Sequence, residues 1–137
     1  MAISPLSKST QIGKAGEYLA LSVFHQHHYQ CSLVNLEGCD IVLWADDDGT
    51  PFRVEVKAAS EAIGKGRYKF MTSKGSKSKR AVNSDDADLI CYVALDIRKI
   101  CLRPINTVVN KRTTLRACEF DLPECQQIRT AIRDARK

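Results

Sequence analysis

No run of this chain is long and apolar enough to cross a bilayer, and the stretch from Met1 to Lys14 is polar, without the hydrophobic centre of a secretory signal. A cytoplasmic protein with no membrane partner is therefore expected. The six cysteines, Cys31, Cys39, Cys91, Cys101, Cys118 and Cys125, include no CxxC pair. That spacing speaks against structural zinc, although His25, His27 and His28 lie near Cys31 and Cys39, and a reducing compartment speaks against disulfides. Free thiols are expected, with Cys91, Cys101 and Cys118 buried because they sit in apolar runs. Internal repeats are absent, as is any Ser, His and Asp arrangement of a nucleophilic hydrolase. The acidic turn Asp46-Asp47-Asp48-Gly49 has Trp44 where a calcium loop needs its first ligand, so calcium is excluded there.

The most telling absence is of acids. Between Ile63 and Val82 there is no Asp or Glu, yet seven cations stand there: Lys65, Arg67, Lys69, Lys74, Lys77, Lys79 and Arg80. Of the formal net charge of +5, the rest of the chain thus carries −2. The first 62 residues hold eight acids against Lys8, Lys14, Arg53 and Lys57. Segregation of this kind suits a protein that holds cations in one part and meets phosphates in another. The basic window predicts contacts with a DNA backbone that carry no sequence information, and Arg98, Lys99, Arg103, Lys111, Arg112 and Arg116 widen that surface.

With 137 residues, 44% of them hydrophobic and 27% charged, one domain over 1–137 is expected, with a basic loop at about 63–84. Helical spacing of Ile12, Ala15, Leu19 and Val23 predicts a helix from Ser7 or Ser9 to about His28. Strands are predicted at 29–36 and 40–45, and at 52–58, where Phe52, Val54 and Val56 alternate with Arg53, Glu55 and Lys57. Asp48-Gly49 turns the last two into a hairpin. Further strands are expected at 67–71, 89–95 and 97–103, a mobile loop at 73–84, and a closing amphipathic helix at about 123–135. The class is α/β, a mixed central sheet flanked by helices.

Glu55 and Lys57, two apart in a strand, leave one face. Asp40 can reach that face from the neighbouring strand, and Glu17 from the first helix. Three carboxylates so gathered raise one another's pKa, a conflict that a hard divalent cation relieves. Lys57 then supplies a point charge for a water or a developing oxyanion.

The stretches Gly13-Lys14-Ala15-Gly16-Glu17, Gly38-Cys39-Asp40-Ile41-Val42 and Val54-Glu55-Val56-Lys57 resemble the PD-(D/E)xK nuclease superfamily. Asp88-Leu89-Ile90 followed by Pro104 looks like its small phage and intron-type endonucleases, and Holliday-junction resolvases share the pattern. The residue before Asp40, a proline in the superfamily's name, is Cys39 here. The resemblance implies a restriction-endonuclease-like core and a DNA endonuclease that uses Mg²⁺ or Mn²⁺. It implies that Asp40, Glu55 and the carbonyl of Val56 hold the metal, that Glu17 assists, and that Lys57 positions the attacking water. A structure-specific resolvase and a binding module of the same fold without turnover are the alternatives. Cutting both strands would imply a homodimer.

Overall fold

The computed structural model describes residues 6–36, 39–75 and 78–137. Helix α1 (Lys8–Gln26) starts where the Ser7 hydroxyl accepts from the Thr10 N–H at 3.2 Å. Strands β1 (Cys31–Leu36), β2 (Cys39–Trp44), β3 (Pro51–Ala59), β4 (Arg67–Met71), β5 (Ser73–Lys74) and β6 (Arg80–Ala81) follow. Then come β7 (Leu89–Ala94), β8 (Lys99–Pro104), β9 (Arg112–Arg116) and helix α2 (Glu124–Ala135). Five strands form the central sheet in the order β1-β2-β3-β7-β8. Among the described residues only the β3–β7 pairing is parallel, so the sheet is mixed as expected.

Period-two alternation divides the sheet into two apolar faces. Val54 and Val56 of β3, with Leu89, Cys91 and Val93 of β7, join Ala20, Val23 and Phe24 of α1 and Ile128, Ala131 and Ile132 of α2 in one core. Ile90, Tyr92 and Ala94 leave the other face, where Tyr68 and Phe70 of β4 and Leu115 of β9 cover them. The molecule therefore has three layers: two helices, the sheet, and an antiparallel β4–β9 ribbon.

The first layer is fixed to the second at defined points. A Cβ on Gly16 would lie 2.5 Å from that of Ala58, so only glycine lets α1 approach β3 this closely. The buried Gln127 of α2 accepts from the Leu102 N–H at 2.9 Å and donates to the carbonyls of Ile100 and Leu122. Arg136 donates to Asp47 and Asp48, giving the acidic turn a structural partner.

Three expectations need correction. The segment 73–84 contains paired strands, β5 against β6, anchored by the Val82 N–H donating to the Thr72 carbonyl at 3.0 Å. Strand β9 has no counterpart in the sequence pattern: Leu115 is its single large apolar residue, and pairing with β4 makes it a strand. Cys118 is exposed, because it lies on the outer side of the 3₁₀ turn Ala117–Phe120 that buries Phe120 instead.

Candidate active site

The β2–β3 ladder runs from Trp44↔Pro51 to Ile41↔Val54. One step further, the Asp40 side chain takes over: its Oδ2 accepts from the Val56 N–H at 2.8 Å. Asp40 is thereby fixed against β3, with its carboxylate at the level of Glu55 and Val56. Glu55 itself is 6% exposed and leaves the face opposite to Val54 and Val56. Its two oxygens meet two ammonium groups, Lys57 Nζ at 3.4 Å from Oε1 and Lys74 Nζ at 3.4 Å from Oε2.

Burial, more than any other cause, raises the pKa of Glu55, and the nearby Asp40 raises it further, while Lys57 and Lys74 oppose both. Glu17 is shifted upward in the same way, chiefly by burial and then by Asp40, with Lys14 opposing and Glu55 contributing less. The ordering matches the topology. Helix α1 lies on the face that carries Val54 and Val56, so Glu17 approaches from the side away from Glu55.

Glu17 thus feels Asp40 and Glu55, and Glu55 feels Asp40 and Lys57, but the carboxylates are not one compact shell. Among the described residues, no three His, Cys, Asp and Glu side chains are placed to hold a metal ion together. Two anionic carboxylates and a backbone carbonyl nonetheless fit a hard cation. Magnesium is commonly held by one or two carboxylates, keeping waters and taking substrate phosphate oxygens for the rest of its shell. The Asp40–Val56 hydrogen bond occupies one of the four carboxylate oxygens, Lys74 Nζ donates to Glu55 Oε2, and Lys57 pairs with Oε1.

The seven cations of the basic window do not act as one set. Lys74 belongs to the carboxylate site, because β5 carries its ammonium to Glu55. Arg80 stays exposed but makes two hydrogen bonds to Asp86, at 2.7 and 2.9 Å. That pair holds Asp86 well below the ordinary carboxylate range, at about 2. Both cations are thus paired with carboxylates, where the sequence alone suggests contacts with a DNA backbone. Lys65, Arg67, Lys69 and Lys79 are exposed, and Lys77 lies outside the described residues. Reading the sequence locally misses Lys74, since a lysine in a run of cations carries no mark of the strand that will direct it.

The fold is similar to that of a bacterial homing endonuclease, I-Ssp6803I, with a TM-score of 0.67 over 80% of this chain and 78% of that one, at 13% sequence identity. At that identity the likeness establishes the fold, a mixed α/β nuclease-like one. No protein-family model matches the chain, and no curated protein sequence matches it.

Proposed function

We propose that this chain is a metal-dependent DNA endonuclease of the PD-(D/E)xK type that hydrolyses phosphodiester bonds. The observation that carries this reading is the placement of Asp40 at the point where the β2–β3 ladder ends, against β3 with its Glu55 and Lys57. The shared fold with a homing endonuclease supports it.

Asp40, Glu55 and the Val56 carbonyl would hold Mg²⁺ or Mn²⁺. When bound, such an ion polarises the phosphoryl oxygen and offsets charge on the leaving oxygen. Asp40 anchors its end of the site through the Val56 N–H, so its free oxygen is fixed relative to β3. Lys57 opposes the burial that raises the Glu55 pKa and directs a donor toward the water that attacks in line with the leaving oxygen. Lys74 shares the first of these tasks and adds positive charge where the phosphoryl group becomes more negative. Glu17 adds negative charge from the helix side.

The decisive experiment incubates the chain with supercoiled, linear and four-way-junction DNA, with Mg²⁺ and with EDTA. Cleavage should require the metal and should be abolished by Asp40→Ala or Glu55→Ala with binding retained. Lys57→Ala should slow it by about 100-fold or more, as for loss of a positioned electrostatic group. Full activity of either carboxylate variant would overturn the assignment, and preference for the junction would make the chain a resolvase.

A further inference from the structure

The cations of this molecule divide by what they touch. Arg53, Lys57, Lys74, Arg80 and Arg103 are each engaged with a carboxylate. On the β4–β9 ribbon the opposite holds. Arg67, Lys69, Arg112 and Arg116 are exposed, and among the described residues none of them is in an ion pair. Glu119, three residues after Arg116, is occupied by Arg103 at 2.9 Å and by the Arg116 N–H.

The ribbon's register makes this face orderly. Tyr68, Phe70 and Leu115 turn into the core, leaving three cross-strand rows outside: Arg67 with Arg116, Lys69 with Thr114, and Met71 with Arg112. Like charges placed directly opposite weaken a ladder, so the Arg67–Arg116 row works against the fold that displays it. Met71, 48% exposed, is a further departure from what folding favours. Beyond the Arg67–Arg116 end lies an open cleft of about 770 Å³, lined by Lys65, Arg67, Arg116 and Cys118 among others.

Dimensions and chemistry select the occupant. Five residues per strand span about 14 Å, and two paired strands with their side chains match the roughly 12 Å width of a B-form major groove. Arginines that pair with guanine, a hydroxyl that reads either edge and a methionine against a thymine methyl are a set for base edges. A clamp for phosphates alone would need only the cations. A-form RNA is excluded on shape, since its major groove is too narrow for such a ribbon. The ribbon also joins the carboxylate site directly, for Lys74 follows Met71 by three residues, about 10 Å of extended chain.

We propose that the β4–β9 ribbon enters the major groove of duplex DNA and reads base edges over about four base pairs, giving the nuclease its sequence preference. This deepens the proposed function and rests on its DNA substrate. It also replaces the expectation that Arg67 and Lys69 contact phosphates without reading sequence.

The test selects bound molecules from a pool of randomised 30-base-pair duplexes, in EDTA and again with Ca²⁺, so that cleavage is no part of the readout. The wild-type chain should enrich a motif and should be blocked by guanine N7 methylation within it. Arg67→Ala with Arg116→Ala, and separately Lys69→Gln with Thr114→Val, should each reduce discrimination at adjacent positions by at least about fivefold. Both pairs are surface changes, and melting temperatures no lower than that of the wild type verify the fold. Duplex DNA should also protect Cys118 from maleimide while leaving the other exposed thiol, Cys125 on the helical layer, reactive. Uniform weakening with the motif retained would overturn the proposal in favour of a phosphate clamp. So would equal competition by duplex RNA, or a wild-type chain that binds no duplex. A chain that selects a motif through the ribbon yet cuts nothing with Mg²⁺ would sink the nuclease reading and leave the ribbon's role intact.

Discussion

Glu17 sits where burial, Asp40 and Glu55 all disfavour its charge and only Lys14 supports it. A carboxyl whose folded pKa lies above its ordinary value of 4.5 binds its proton more tightly in the folded chain. Ionising it therefore costs stability as pH rises through and above that value. Glu17→Gln removes the conflict, so the variant should melt higher than the parent at pH 7 in EDTA, with the gap closing below about pH 4. Equal melts at pH 7 would show that Glu17 is solvated and outside the cluster. Asp40 makes a poorer probe of this strain, because its neutral amide analogue also weakens the bond to the Val56 N–H. Lys65 tells of a different strain. It holds φ at 34° between Gly64 at 53° and Gly66 at 67°, in a loop where a glycine would fit without cost. Lys65→Gly should leave stability unchanged or raise it by up to about 1 kcal/mol while weakening DNA binding, read by thermal melting and by a titration with labelled duplex. A destabilised variant with full affinity would make the lysine a folding residue.

At the scale of elements, α1 is located by one close contact. Gly16 lets the helix touch Ala58 of β3, and Glu17 is the next residue along the helix. Gly16→Ala gains intrinsic helix propensity of about 1 kcal/mol, but a Cβ 2.5 Å from another must push the helix off the sheet. Net destabilisation of about 1–3 kcal/mol is expected, with cleavage reduced because Glu17 moves with the helix. Stabilisation at unchanged rate would show that the helix shifts freely. This element was legible in the sequence, since Ile12, Ala15, Leu19 and Val23 set a helical period, and so were β2 and β3, whose alternation separates Glu55 and Lys57 from Val54 and Val56. Legibility ended where structure depends on distant partners. Strand β9 exists because Thr113 and Leu115 meet Phe70 and Tyr68, more than 40 residues earlier. The turn into β5 is set by Thr72, buried, whose hydroxyl donates to the Asn110 carbonyl at 2.7 Å and whose N–H donates to the Lys111 carbonyl. Local periodicity holds no trace of such contacts, which is why Lys74 looked like one more surface cation.

For the whole molecule, the layers separate stability from chemistry. The helices are tied to the sheet and to each other on one side, by Gln127, Arg136 and the His27–Glu124 contact at 3.0 Å. The ribbon and the Glu55–Lys57–Lys74 cluster share the other side, on which the proposed duplex would lie. One chain offers a single Asp40–Glu55 site, while a duplex has two antiparallel strands whose scissile bonds are related by a local two-fold axis. Breaking both in one encounter needs two sites in that same symmetry, and two copies of the chain supply it most simply. Analytical sedimentation with a 30-base-pair duplex in Ca²⁺ should therefore show two chains of 15.3 kDa each per duplex. With the protein in excess and Mg²⁺ present, plasmid should become linear with little nicked circle building up. At low protein concentration the rate of linearisation should rise with the square of that concentration, because the second copy is then limiting. One chain per duplex, with nicked circle as the final product, would instead make the molecule a nickase that acts alone.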